Sequence, residues 1–424
     1  MVCIRLGVRY LWVDTLCIIQ DDEDLEDWKR ESTLMEKVYE GSLLNLFALA
    51  ASDTEHSLFW KRDPRDVNPV AINDYMIYEM DEDFWRNCVD ERPLNLRAWV
   101  KQERLLATRN LHFGQEQLLW ECAELQAAEA FPSGLPKWVK VPGPPLRHFL
   151  KAEPTRGTSS LDVDVYDAWD HLVCEYSKCK VTKGSDKLIA ISGLAKRLSK
   201  VVKDEYVVGM WRRDLSHGIL WYCSEEMDEK KYPGPRRPSE YRAPTFSWAS
   251  MDAKISMVFF RAYNTKTYIK ILDYQLNFVT TDATGLCRGG HLILQCRLQR
   301  LIFRHRRKRG GWMSPYKVDL IRPTGTLRSI PRPYLDELTS FFSPVARYDL
   351  YAILWTGLEY DLGDTCFPGY YLFLQAVHKE PGTFRRIGLG KTYRDPDVGG
   401  YRGMEAGHYP CLSYKDGWHT IRVI

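Results

Sequence analysis

"GVRYLWVDTLCIIQDDEDLEDWKRESTLMEKVYEGSLLNLFALAA", Gly7 to Ala51, is the stretch on which the fold turns. Val8–Val13 is an apolar run of Tyr, Leu, Trp and Val that does not alternate, the pattern of a strand covered on both faces. Asp24–Tyr39 reads as a helix. Leu25, Trp28, Ser32, Met35 and Tyr39 step by three and four and form one inward stripe, with Gly41 as the C′ residue. Leu43–Ala51 reads as a second buried strand. Strand, helix and strand within about 45 residues predict a βαβ crossover, and hence a parallel sheet with helices on its faces.

Outward from this stretch, Ser52–Asp90 is polar and broken by Pro64 and Pro69, a loop with short elements. Leu94–Leu106 has helical spacing, with Leu96, Trp99, Val100, Glu103 and Leu106 along one side. Asn110–Phe113 and Gln117–Cys122 flank Gly114-Gln115 and predict a hairpin. Phe131–Pro154, rich in Pro and Gly, reads as a linker. Val165–Tyr176 and Asp186–Val202 read as helices, the first with Tyr166, Trp169, Val173 and Tyr176 on one face. A Pro/Gly/Arg break at Tyr232–Pro244 precedes a β-rich region: Met257–Tyr263, Thr267–Phe278, His291–Phe303, Leu350–Leu358 and Tyr370–Val377. Three stretches follow: 1–125 as an α/β domain, 126–250 as helical and linker, and 251–424 as β-rich.

The 424 residues suffice for two or three domains. Hydrophobic residues at 45% and charged residues at 27% are those of a globular protein. A net charge of +3 is too small to argue for nucleic acid. The 11 cysteines are scattered, with no CxxC and no Cys/His cluster of zinc spacing, which points to reduced thiols in a cytosolic or nuclear protein and to no metal. No stretch approaches the roughly 18 apolar residues of a membrane span. Arg5, Arg9 and Asp14 interrupt Met1–Ile19, and no small-residue cleavage site follows, so it is not read as a signal peptide.

Six acids, Asp21, Asp22, Glu23, Asp24, Glu26 and Asp27, crowd the start of the predicted helix. Acids there complement the helix dipole and cap free N–H groups. They would also repel phosphate, so a ligand at this end should offer hydroxyls, a ribose, a metal or a basic group. Asp14, at the carboxyl end of the predicted strand, is either a site residue or a loop-fixing acceptor. Cys17 reads as a buried small hydrophobe rather than a nucleophile. Gln20 fits either a turn or a ligand. In "RAWVKQERLL", Arg97–Leu106, Trp99 and Glu103 are i,i+4 neighbours with Gln102 beside them. An indole against a carboxyl raises its pKa for acid–base work. The plainer reading is a half-buried helix whose Glu103 pairs with Arg97 or another arginine.

Two further motifs are set aside. "GLGKT", Gly388–Thr392, lacks the first glycine of a phosphate loop, since position 385 is Arg385, and Asp395-Pro396 does not begin the required helix. "RHRRKRGG", Arg304–Gly311, could be a nuclear-localisation or nucleic-acid patch, the run Arg304–Arg309 carrying its charge. A solvated hairpin loop fits better, since no aromatic interleaving accompanies it.

"GVRYLWVDTLCIIQDDEDLEDWKRESTLMEKVY" and, later, "PLNLRAWVKQERLLATRNLHFG" with its R-x-W-x-x-Q-E core resemble the two signature blocks of the fungal heterokaryon-incompatibility (HET) domain. "DKLIAISGLA" and "RAPTFSWAS" resemble segments that often follow it. The resemblance covers about residues 1–125 as domain and extends more weakly to about 250. It implies an α/β fold of TIR/flavodoxin-like type and a role in non-self recognition ending in programmed cell death, with protein partners. It brings forward Trp12, Asp14, Cys17, Gln20, Arg97, Trp99, Gln102 and Glu103. The family's opening L-S-Y-x-W-G block has no counterpart before Val8, so the expected domain is truncated, with an exposed sheet edge and low solubility unless a partner covers it.

Three functions stand as expectations. The first is an incompatibility-type effector of cell death. The second is a nucleotide or NAD glycohydrolase, with NAD as substrate, Glu103 as acid/base and Asp14 on the ribose hydroxyls. Trp12, Gln20, Arg97, Trp99 and Gln102 would bind the ligand. The third is an interaction module in which both motifs are core.

Overall fold

A computed structural model describes the chain apart from residues 1, 20–25, 52–57, 68–69, 73–74, 78–80, 142–145, 152–158, 225–233, 260–264, 306–315, 322–326, 338–348, 359–368 and 393–408. By packing, the chain forms two units. One is Met1–Pro142 with Ile189–Arg197, and the other is Gly143–Leu188 with Leu198–Ile424.

The first unit opens with two short helices, α1 (Val2–Arg5) and α2 (Asp14–Cys17), then α3 (Glu26–Gly41) and strand β1 (Asn45–Phe47). A small hairpin, β2 (Val70–Ile72) with β3 (Tyr75–Ile77), lies within the predicted loop region. Helix α4 (Val100–Leu106) then leads into β4 (Arg109–Phe113), β5 (Leu118–Cys122) and β6 (Gln126–Ala128). The expected hairpin at Gly114 is β4–β5, closed by Gly114 N–H donating to the Gln117 carbonyl at 3.2 Å.

The deciding stretch is corrected at its first element. Val8–Val13 is not a strand: its backbone is irregular, and Tyr10 and Leu11 are 79% and 63% exposed. Gly7, at φ 67°, turns the chain out of α1, and the run crosses toward α3, where Trp12 meets the Tyr39 ring at 5.6 Å edge-on. An apolar run without alternation has no period that separates a strand from a segment laid against a helix. The α3 stripe agrees with expectation at Ser32, Met35 and Tyr39, which are buried, but Gly41 closes the helix from inside it.

The four-stranded sheet runs β1-β4-β5-β6. β1 pairs with β4 in parallel, Leu46 opposite Leu111. β4–β5 and β5–β6 are antiparallel. The sheet, expected to be parallel at its βαβ unit, is mixed: its one parallel pair is β1–β4, the crossover running between them, and the rest is antiparallel. Phe47, Leu49, Trp85, Val89, Val100 and Leu119 form its core. The predicted helix Leu94–Leu106 is a 3-10 turn (Pro93–Leu96) followed by α4. Pro93 suits the first position of the turn, where no N–H is needed.

In the second unit the expected linker Phe131–Pro154 contains a helix, α5 (Leu146–Lys151). Helix α6 (Ser159–Ser177) follows as expected, with Tyr166, Trp169, Val173 and Tyr176 buried, and α7 (Asp186–Val202) is also formed, its residues Ile189–Arg197 belonging to the first unit. Strands β7 (Tyr206–Val207) and β8 (Met210–Trp211) form a tight hairpin around Gly209 at φ 97°. The Gly209 carbonyl accepts from the indoles of Trp169 at 3.0 Å and Trp248 at 2.9 Å.

After α8 (Leu215–Gly218), β9 (Trp221–Cys223) pairs with β10 (Ile255–Met257). The remaining described strands belong to one extended sheet. They are β11 (Thr265–Thr267), β12 (Lys270–Phe278), β13 (Cys287–Cys296), β14 (Leu298–His305), β15 (Tyr316–Ile321), β16 (Leu327–Ile330), β17 (Arg332–Leu335), β18 (Leu350–Leu358), β19 (Gly369–Ala376), β20 (Thr383–Thr392), β21 (Ser413–Lys415) and β22 (Trp418–Val423).

The single strand expected at His291–Phe303 is two, β13 on β12 and β22, and β14 on β15 and β18. "GLGKT" lies in β20, where Gly390 makes room for the Phe373 ring and Gly388 for the Tyr334 carbonyl. Arg304 and His305 end β14, which pairs with β15; the rest of the basic run lies outside the described residues.

Candidate functional site

Asp14 does not end a strand; it opens α2. Val13 before it is extended, and the Asp14 Oδ1 accepts from the Thr15 N–H at 2.8 Å. A carboxylate in a helix's first turn is stabilised by the free N–H groups there. Cys17, expected to be buried, is exposed at the other end of this one-turn helix. Ile18, one residue on, is the side chain that enters the interior, at 7% exposure.

Glu103 sits on α4, distant in sequence, within electrostatic reach of Asp14. Burial pushes its carboxyl up to about 7, and the charge of Asp14 adds to the rise. Arg97 and a hydrogen bond with Tyr39 act in the opposite direction. The residue as a whole is half-buried, with its carboxyl on the enclosed side. The phenol of Tyr39 is raised well beyond its ordinary range by burial and by the two carboxylates, so it stays a donor. The structure thus brings together Asp14, Glu103, Arg97 and Trp12 from the sequence-based set, and adds Tyr39.

The remaining candidates are placed otherwise. Trp99 lies just before α4, four residues ahead of Glu103. Its indole meets Trp28 edge-on at 6.3 Å. Gln102 is buried, at 1% exposure, and its Oε1 accepts from the Gly193 N–H at 3.2 Å. Gly193 has no side chain because a Cβ there would stand 2.9 Å from that oxygen. Gln20 and Asp21–Asp24 lie outside the described residues. Of the acids at the start of α3, Glu26 and Asp27 are in its first turn, and the Asp27 Oδ2 accepts from the Ile19 N–H at 2.9 Å.

A second charged cluster escaped sequence reasoning. Arg104, next to Glu103, points the other way and forks onto Glu121, Nε to Oε2 at 2.8 Å and Nη2 to Oε1 at 3.1 Å. Its Nη1 donates to Asp90 at 2.7 Å. Glu121 Oε2 also meets Asn110 Nδ2 at 3.2 Å and His112 Nε2 at 3.3 Å. The signal was present in "LLWEC". Alternation puts Glu121 on the same face of β5 as buried Leu119, and a buried carboxylate requires a cation. This enclosed cluster is built for structure, whereas the Asp14–Glu103 pair has one member on a largely exposed segment.

Among the described residues no group of His, Cys, Asp and Glu is arranged to hold a metal ion, and no helix is long and apolar enough to cross a membrane. Residues 1–103 match the family described as heterokaryon incompatibility protein (HET). Both carboxyls of the pair, with Trp12, Tyr39 and Arg97, fall inside it. No curated protein and no solved structure matches the chain.

Proposed function

We propose that this chain, whose residues 1–103 match the HET family, acts in fungal non-self recognition and triggers growth arrest and cell death, with Asp14 and Glu103 as its working site. What supports it is that the match contains two carboxyls nearly ninety residues apart in sequence, of which Asp14 lies near enough for its charge to act on Glu103. A kinship with TIR-like α/β domains belongs to the same proposal, and the parallel β1–β4 pair supports it. The test is inducible expression of the full chain in a fungal host. Growth arrest that Asp14→Asn and Glu103→Gln abolish is the expected result. Unimpaired growth with soluble protein present, or arrest unchanged in both variants, overturns it.

One observation favours an enzymatic output. A carboxyl brought up to about 7 is divided between its two forms at neutral pH and can both take and return a proton. In hydrolysis of NAD, the ribose C1′–N bond breaks with its electron pair leaving on nicotinamide, and water attacks C1′. Glu103 as carboxylate would receive the proton of that water, and Asp14 would accept from the ribose hydroxyls. Nicotinamide release from NAD by the purified chain, lost in Glu103→Gln, is the expected result; no release overturns this output while leaving the signalling role to the growth assay.

A further inference from the structure

The large apolar side chains that the first unit leaves outside are concentrated in one stretch. Ile4, Leu6, Tyr10, Leu11, Leu16 and Ile19 are all between 51% and 83% exposed. Single exposed hydrophobics are ordinary on a folded protein, but a run of them marks a surface that something covers. The run is anchored to α3 at both ends. Trp12 packs on the Tyr39 ring at 5.6 Å. Ile18 enters the interior, and the Ile19 N–H donates to the Asp27 carboxylate at 2.9 Å. A surface held in this way loses less freedom on binding than a loose segment does.

The charges along this stretch separate by sign. Residues 2–13 carry Arg5 and Arg9 and no acid. The Arg9 guanidinium lies over the Tyr10 ring, 5.1 Å from its centroid. Residues 14–27 carry seven acids and no cation. Of these, Asp14, Glu26 and Asp27 are among the described residues, and Asp21–Asp24 add four charges between them in sequence.

We infer that this surface is an interface between two copies of the chain, paired about a two-fold axis so that residues 4–11 of each lie on Leu16, Ile19 and the acidic first turn of α3 of the other. A two-fold axis makes every contact twice, with the roles of the two copies exchanged. A patch whose apolar halves carry opposite charge is therefore complementary to itself. Tyr10 and Arg9, at the outer half, are residue types that dominate the energetics of interfaces. An anionic membrane matches Arg5 and Arg9 but is repelled by the acids that follow them. An unrelated partner would have to carry the same two halves reversed, which a second copy presents by symmetry. The inference does not draw on the role proposed for Asp14 and Glu103.

The test is sedimentation equilibrium of the full chain, with light scattering to fix the mass. A dimer that dissociates on dilution and more readily at high salt is expected. A monomer at about 100 µM, or assemblies that grow beyond two copies, overturns the inference. Arg5→Glu with Arg9→Glu, and separately Glu26→Lys with Asp27→Lys, should each weaken the dimer by about tenfold or more. The two variants mixed should associate more tightly than either alone, because the mixed pair keeps one unaltered contact and joins reversed charges of opposite sign in the other. Dimers unchanged in both variants, or no gain on mixing the folded variants, overturn the inference. Hydrogen exchange of the unaltered chain serves if a variant does not fold. Peptides covering residues 2–19 should slow as the chain associates, and association without slowing there overturns the interface. Co-sedimentation of a monomeric chain with phosphatidylserine vesicles would assign the surface to a membrane and overturn it equally.

Discussion

Replacing Arg104 with methionine removes the cation from the buried cluster while keeping most of the side chain's apolar length. The side chains of Arg104 and Glu121 are 9% and 8% exposed, and that of Asp90 is 21% exposed. Without Arg104, Glu121 loses the charged donors at 2.8 and 3.1 Å, while Asn110 and His112 remain on Oε2. Breaking a buried pair from one side costs about 3–5 kcal/mol, since the other charge is left enclosed. Asp90 can turn to water and contributes about 1 kcal/mol at most. A total near 4 kcal/mol corresponds to a roughly thousandfold rise in the opening constant of this unit. Hydrogen exchange read by mass spectrometry on peptides covering α4, β4 and β5 measures that ratio directly. Arg86→Ala serves as the control. Its pair with Glu91 spans 2.7 Å, but both side chains are more than half exposed, so the expected change is under about 1 kcal/mol. Adding Glu121→Met to Arg104→Met should recover most of the loss, because an apolar replacement of a buried pair is nearly neutral. Exchange in Arg104→Met that differs from the control by less than tenfold refutes the reasoning.

Glu103 makes stability depend on pH. Its folded-state pKa, about 7, lies above the ordinary value of 4.5, so its stabilising share is complete below pH 4.5 and is lost as pH rises through 7. The loss is about 3 kcal/mol at most, from the size of the shift. Glu103→Gln should flatten this fall in urea unfolding between pH 4.5 and 7.5, and an unaltered slope counts against the enclosed carboxyl. Gly193→Ala should destabilise α4 by about 1 kcal/mol despite alanine's helical preference. Its Cβ would meet the Gln102 Oε1 at 2.9 Å and displace it from the Gly193 N–H; faster exchange of α4 amides is the readout. Gly209→Ala should cost more than about 2 kcal/mol. Position 209 holds φ 97°, and a Cβ there stands 2.5 Å from the Trp248 indole nitrogen. The thermal midpoint and the near-ultraviolet signal of the tryptophans report it.

What was legible in the sequence is what carries its own period. The α3 stripe, the hairpin at Gly114, the buried face of α6 and the long strands β18 and β19 all repeat at helical or strand spacing over enough residues to be read locally. Val8–Val13 carries none. Whether six apolar residues form a strand depends on a neighbour with free backbone groups, and no local pattern names that neighbour. The parallel partner of β1 turned out to be β4, more than sixty residues onward. The break of His291–Phe303 into β13 and β14 is of the same kind, because two different sets of neighbours take up its halves.

The candidate site follows the same division, and Glu103 and Arg104 make the reason visible. They are adjacent, both charged and both on α4, yet one turns to Asp14 and Tyr39 and the other to Glu121 and Asp90. Residue type predicted that each needed a partner; helical geometry predicted that neighbours about 100° apart would not share one. The identity of the partners required the sheet, since Glu121 comes from β5, and required the irregular segment before α2, whose Trp12 packs on Tyr39 of α3. The correction at Val8–Val13 therefore does not remove Asp14 from the site. A strand end would have placed it at a sheet edge, with Glu103 approaching by chance; the segment clamped at Trp12 and Tyr39 places it beside Glu103 through a contact that mutation can break. Trp12→Ala should thus lower the Glu103 titration midpoint, read by carbon-detected NMR of its carboxyl, by releasing Asp14, in the same direction as Asp14→Asn, whereas a sheet-edge Asp14 would not respond to Trp12 at all.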